Sequence, residues 1–200
     1  MFAGTAARRP GGGAGPYGTG TGKGTRPMGH HQHRQEAPPS VRVFVVTASD
    51  TRGEADDESG AYLRRAAAEA GHAVVGWRIV KDDPGEIRTA LAEAARAGAE
   101  AVLVNGGTGI AGRDRTYEAV SGLLEKRIDG FGELFRMLSF AEIGSAAMLS
   151  RAVAGAWEGR AIFSVPGSLA AVTLAWTRLI GPELPHVLRE LRKDAPARRH

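Results

Sequence analysis

Two hundred residues with 42% hydrophobic content are enough for one α/β domain with a sizeable core. The absence of cysteine excludes disulfides, thiol nucleophiles and thiolate metal sites. No apolar run approaches a membrane span or a signal-peptide core, so a soluble, cytoplasmic protein is the expectation.

The net charge of +4 belongs to the start of the chain. Residues 1–40 hold five Lys/Arg against one Asp/Glu, whereas residues 41–200 hold twenty-one of each. A balanced domain offers no obvious basic face for phosphate neutralisation, which leaves little case for nucleic-acid binding. Residues 1–40 also contain ten glycines and five prolines, a composition that predicts a disordered tail. His30, His31 and His33 in that tail are assigned no metal, and Met28 is a second candidate start. Residues 41–193 form the expected domain, and 194–200 a second tail.

From Val41 the pattern alternates strand and helix. VRVFVVT (41–47) is a β-branched run of the kind buried on both faces of a parallel sheet. Ser59 is a candidate cap for SGAYLRRAAAEAG, which stops at Gly71. HAVVGWRIV (72–80) predicts a second strand. Asp82 or Asp83 can cap the next helix, PGEIRTALAEAARAG, with Pro84 in its first turn. AEAVLVN (99–105) predicts a third strand, and GGTG follows it. Helices are expected over 115–127 and, less regularly, over 130–155. RAIFSVP (160–166) predicts the last central strand. The helix SLAAVTLAWTRLIG is expected to end before Pro182, and a terminal helix, PELPHVLRELRK, to be interrupted at Pro185.

Strands separated by helices imply right-handed crossovers. The fold expected is a three-layer, Rossmann-like α/β domain, with a mostly parallel sheet and helices on both faces. Ligands bind outside the carboxyl ends of such strands. Four polar clusters fall there: SDT with Ser49 and Asp50, KDD with Asp82, NGGTG from Asn105 to Gly109, and PGS from Pro166 to Ser168.

The loop Val104–Val120, VNGGTGIAGRDRTYEAV, admits three readings. Gly107, Gly109 and Gly112 spell G-x-G-x-x-G, but after the third strand and with no acidic residue placed to hold a ribose. A nicotinamide-dependent oxidoreductase is therefore a remote alternative. A Walker A loop fails because its Lys and Ser/Thr are missing. The third reading is an anion site, in which glycine-loop N–H groups and a helix N-terminus face phosphate beside Arg113 and Arg115. A bare turn needs fewer than four glycines and no Asp114 between cations, which favours the anion site. Asp82 and Asp114, from neighbouring loops, are the carboxylates suited to Mg2+. For Asp82 the helix-cap role stays open.

Residues 41–193 resemble the MoaB/Mog family of molybdenum-cofactor biosynthesis proteins. The resemblance is carried by SDT, DDESG, IVKDD, GGTGIAGRD followed by T-x-E-A, DGFGELFRMLSFAEIGSAAMLSRAVAG, and VPGS. It implies a molybdopterin-binding α/β fold and a homo-oligomer, most often a trimer and otherwise a hexamer. For active relatives it implies Mg2+-dependent adenylylation, in which molybdopterin and ATP give adenylyl-molybdopterin and pyrophosphate. A non-catalytic pterin-binding oligomer of the same pathway is the alternative. Asp82 and Asp114 fall where the family has its catalytic aspartates, the same two residues that the carboxylate chemistry marks for Mg2+. Gly106, Gly107, Thr108 and Gly109 fall on its substrate- and nucleotide-binding loop. Ser49, Asp50, Asn105, Arg113, Thr116, Pro166, Gly167 and Ser168 complete the expected binding set. Three positions depart from the usual pattern: Asn105 for Thr or Ser, Tyr117 for Pro, and Leu169 or its neighbour for Pro. Tyr117 is expected to add bulk beside the nucleotide. Phe135, Met137, Leu138, Phe140, Met148 and Leu149 are read as core or subunit interface, and Glu133 and Arg136 as reaching a neighbouring subunit or a ligand.

Overall fold

A computed structural model describes residues 40–193. The tails expected before and after them, with the histidine tract, lie outside the described residues.

Four parallel strands carry the molecule: β1 (Arg42–Ala48), β2 (Ala73–Val80), β3 (Ala101–Asn105) and, counting two intervening strands, β6 (Arg160–Val165). The sheet order is β2-β1-β3-β6-β5-β4, with β5 (Val153–Trp157) antiparallel to β6 and the two-residue β4 (Lys126–Arg127) antiparallel to β5. The expected mostly parallel α/β sheet is thus present.

Alternation along the strands sorts the core into two layers. On one face Val43, Val45, Leu103 and Phe163 pack against α1 (Glu58–Glu69), α4 (Asp129–Ile143), α5 (Leu169–Ala175) and α6 (Gly181–Arg192). On the other, Phe44, Val46, Val102, Val104 and Ile162 pack against α2 (Pro84–Arg96) and α3 (Thr116–Ser121). Leu63, Ile87 and Leu91 are each at most 1% exposed, so both layers exclude water. Full burial of such side chains contributes about 1.5–3 kcal/mol apiece.

Several expected elements are corrected. The N-cap of α1 is Asp57, whose side chain accepts from the Gly60 N–H, and Ser59 lies inside the helix. The helix expected over 115–127 stops at Ser121, and Lys126–Arg127 is strand. The one expected over 130–155 ends at Ile143. A 3-10 segment, Gly144–Leu149, follows, and Val153–Trp157 is a strand. Its small residues let it lie between two neighbours: a Cβ on Gly155 would stand 2.2 Å from the Lys126 carbonyl oxygen. Pro182 does not end a helix. The helical path runs from α5 through a π turn, Trp176–Ile180, into α6, where Pro182 occupies the first turn. Pro185 sits inside α6 without breaking it.

Candidate functional site

Pairing in register brings the carboxyl ends of β1, β2, β3 and β6 to one edge: Thr47 stands beside Ile79 and Asn105, and Asn105 beside Val165. The loops after β1, β2 and β3 enclose a cleft of about 260 Å³. It is lined by Ala48, Ser49, Asp50, Thr51, Arg52, Asp82, Gly106, Gly107, Arg113 and Asp114. Of the expected site residues, Ser49, Asp50, Asp82, Gly106, Gly107, Arg113 and Asp114 thus meet there.

Asp83 takes the cap of α2, accepting from the N–H groups of Gly85 and Glu86 at 2.8 and 3.1 Å. Asp82 is therefore released to cross to the glycine loop. Its Oδ1 accepts from the Thr116 hydroxyl at 2.8 Å and the Arg115 N–H at 3.1 Å. Asp50 Oδ1 accepts from the Asp82 N–H at 3.2 Å, which ties the first and second loops. Asp114 is held similarly, its Oδ2 accepting from the Ala111 N–H at 2.9 Å. Among the described residues, each of Asp82 and Asp114 thus has one oxygen anchored and the other unpaired.

The glycines explain how carboxylates approach the loop so closely. A Cβ on Gly107 would lie 2.2 Å from Asp82 Oδ2, and one on Gly109 2.4 Å from Asp114 Oδ2. Gly106, at φ +100°, passes the Ala48 carbonyl so tightly that a Cβ would lie 2.1 Å from its oxygen. Three of the four glycines are thereby accounted for by contacts within the protein, which the sequence reading had credited to a ligand. Gly112 alone of the four faces open space.

The expected contribution of a helix N-terminus is also corrected. α3 has only six residues, and the N–H groups of Thr116 and Tyr117 are spent on the Gly107 carbonyl. The Gly106 N–H is spent on Val165. Among the described residues, the N–H groups of Gly107, Thr108, Gly109 and Ile110 have no acceptor. Successive unpaired amides of this kind make an anion-binding concavity.

Asn105, expected at the ligand, is instead wholly buried. Its Nδ2 donates to the Thr47 hydroxyl at 2.9 Å and its Oδ1 accepts from the Ser59 hydroxyl at 2.9 Å. The Thr47 hydroxyl in turn donates to buried Asp57. An amide satisfies both neighbours where Thr or Ser has a single hydroxyl. Thr108 and Thr116 are buried too, and Thr116 acts by orienting Asp82. Pro166, Gly167 and Ser168 do not line the cleft. Gly167 backs onto Gly106, and Ser168 caps α5 by accepting from the Ala171 N–H.

Sequence reasoning missed Arg52, although it directly follows SDT. Its Nη1 donates to the Ser59 hydroxyl and the Gly167 carbonyl at 2.9 and 2.8 Å, which fixes a cation at the cleft. Arg113 also lines the cleft, and no group among the described residues engages it. Arg151 was missed as well. It reaches the loop from behind, stacking 4.5 Å from the Tyr117 ring centroid. Tyr117 packs on the second core layer and does not line the cleft, contrary to the expected bulk beside the nucleotide.

No group of three or more His, Cys, Asp or Glu among the described residues could hold a metal by itself. Asp82 and Asp114 do fit a hard, oxygen-seeking cation. Each offers one unpaired carboxylate oxygen, and Mg2+ is commonly held by one or two carboxylates with substrate phosphates completing its shell.

A mostly parallel open sheet with a cleft of carboxylates and arginines at the carboxyl edge of its strands is the arrangement of a doubly wound α/β protein, in which ligands bind at that edge. The model of a family described as "Probable molybdopterin binding domain" matches residues 42–186, and the chain belongs to that family. Molybdenum cofactor biosynthesis protein B of Halalkalibacterium halodurans is 56% identical over 169 residues, covering 84% of this chain and 99% of the relative. A crystal structure of a molybdenum cofactor biosynthesis protein B aligns with TM-score 0.75 and 52% identity, over 78% of this chain and 99% of that one. The tungsten cofactor synthesizing protein MoaB from Pyrococcus furiosus aligns with TM-score 0.72 and 39% identity, over 78% and 100%. The chain is thus a member of the molybdenum cofactor biosynthesis proteins.

Proposed function

We propose that this protein transfers AMP from ATP to the terminal phosphate of molybdopterin, with Mg2+ as cofactor. The reading is carried by the two half-anchored carboxylates, Asp82 and Asp114, beside a loop whose successive amides have no acceptor among the described residues.

An oxygen of the pterin phosphate attacks the α-phosphorus of ATP. The new P–O bond forms as the α–β bridging bond breaks, and both bonding electrons leave with pyrophosphate. A phosphate monoester is already largely ionised at neutral pH, so this nucleophile needs no strong general base. Catalysis then reduces to positioning and charge stabilisation. Mg2+ held by Asp82 and Asp114 would offset phosphate charge. Arg52, fixed by Ser59 and Gly167, and the unengaged Arg113 stabilise negative charge on the transferring and leaving groups. Thr116 and the Arg115 amide keep Asp82 in one orientation.

The exposed apolar side chains of Leu134, Met137, Phe140, Ile143, Met148 and Leu149 form the face we assign to contacts between copies, in a trimer. Light scattering on the purified protein should return three times the chain mass. A monomer at micromolar concentration would remove that assignment.

The test of function is pyrophosphate release with molybdopterin, ATP and Mg2+. Release that requires the pterin is the expected result. Tight pterin binding without release would make this a non-catalytic pterin-binding protein.

A further inference from the structure

Arg151 lies outside the cleft, between the 3-10 segment and β5, yet it spends its guanidinium on the glycine loop. Nε donates to the Thr108 carbonyl at 2.8 Å, and Nη2 to the Gly109 carbonyl. Nη1 pairs with Glu118, whose carboxyl this contact holds below the usual carboxylate range. The Tyr117 ring supports the guanidinium face. Two carbonyls, a carboxylate and an aromatic ring thus fix one side chain in one pose.

The consequence follows from peptide geometry. In a planar trans peptide the C=O and the next residue's N–H point in opposite directions. Holding the Thr108 and Gly109 carbonyls against Arg151 therefore turns the N–H groups of Gly109 and Ile110 away from it. Neither of those N–H groups has an acceptor among the described residues. A loop containing Gly106, Gly107 and Gly109 has little stiffness of its own, so an outside clamp sets which way these peptides face. The cation on the carbonyl side also polarises both peptides and strengthens the N–H donors.

We propose that Arg151 is a positioning residue, which fixes the Gly109 and Ile110 amides as a paired receptor for a phosphate group of the substrate. Tyr117 then acts as the platform for Arg151. This deepens the AMP-transfer reading, resting on it only for the statement that the substrates carry phosphates.

Calorimetric titration with inorganic pyrophosphate and Mg2+ needs no turnover and tests it directly. Arg151→Met keeps the aliphatic stem and removes every donor; it should weaken pyrophosphate at least about tenfold. Arg151→Lys, which cannot fork to two carbonyls, should fall between Met and the native protein. A purely structural role would lower the melting temperature and leave the affinity of the folded protein unchanged. Native affinity in folded Arg151→Met would overturn the proposal, as would no pyrophosphate binding by the native protein. Should the Met variant not fold, Arg151→Lys binding at native strength would overturn it equally. Steady-state kinetics separate the two phosphate sources. A raised KM for ATP alone places the nucleotide on these amides, and a raised KM for molybdopterin alone places the pterin phosphate there. If the native protein binds pyrophosphate in an Arg151-dependent way yet releases none from ATP, AMP transfer fails and the proposal stands.

Discussion

The sheet has two unlike halves that join where β6 pairs with β5, and side chains from both reach the glycine loop. The parallel half, β2-β1-β3-β6, has strands of five to eight residues and contributes Asp82, Asp114 and the whole cleft. The antiparallel half, β5 and the two-residue β4, brings α4, an exposed apolar face and Arg151. One half presents charge to a ligand; the other shapes the backbone from behind. The loop after β3 needs its glycines because Ala48, Asp82, Thr116 and Asp114 press on it, whereas Arg151 grips it through its carbonyls.

If chemistry resides in the parallel half, the largest losses come from its carboxylates. Asp114→Asn and Asp82→Asn each retain an oxygen for the anchoring N–H or O–H donors, so both should fold. Each should lower pterin-dependent pyrophosphate release by about 100-fold or more. Release within a few-fold of native from either variant would break the division of labour.

A pair of glycine substitutions compares the halves in stability. Gly106 and Gly144 both have positive φ, at +100° and +61°. A Cβ on Gly106 would overlap the Ala48 carbonyl, whereas one on Gly144 meets nothing within 4 Å. Gly106→Ala therefore combines backbone strain with a collision against backbone that cannot swing away, and should cost above about 3 kcal/mol. Gly144→Ala carries strain alone, about 1–2 kcal/mol. Urea denaturation of both variants measures the difference. Equal midpoints would mean that the loop yields around Gly106 and that the parallel half does not confine it.

The halves also differed in how far the sequence revealed them. β1 and β3 are apolar runs that could only be strands buried on both faces, and the loops beyond them located the cleft. β5 was hidden because AVAGAW follows MLSR with small residues that suit a helix as well. What makes it a strand is its place between β4 and β6, where Gly155 must pass the Lys126 carbonyl. Arg151 lay inside a motif already quoted, but nothing in local spacing ties it to carbonyls some forty positions earlier. Asp82 was legible as a carboxylate at the right edge. Its freedom from capping depended on Asp83 taking both amides of α2. The glycines were legible as a tight loop, while the reason for them, close approach by protein atoms, required the fold. Asn105 shows the converse error, since proximity in sequence to the loop does not put a side chain in the cleft.

The smallest expected effects separate the halves by pH. His72, between α1 and β2, is 8% exposed and forms a T-shaped pair with Trp176, and its Nδ1 has no partner among the described residues. Burial disfavours the imidazolium and pushes its pKa below the ordinary value. The unfolded chain then binds the proton first, so stability is complete above about pH 6.5 and declines as pH falls below it. Glu118, bridging to Arg151, is an exposed carboxylate with a lowered pKa. Its contribution is present above about pH 4.3 and lost as pH falls through its depressed folded value. Melting temperatures recorded from pH 8 to pH 2 should thus decline through the upper window before the lower one begins. His72→Leu should flatten the upper decline and leave the lower one, while Glu118→Gln should do the reverse. If His72→Leu leaves the decline below pH 6.5 unchanged, the parallel half owes that acid sensitivity to another group.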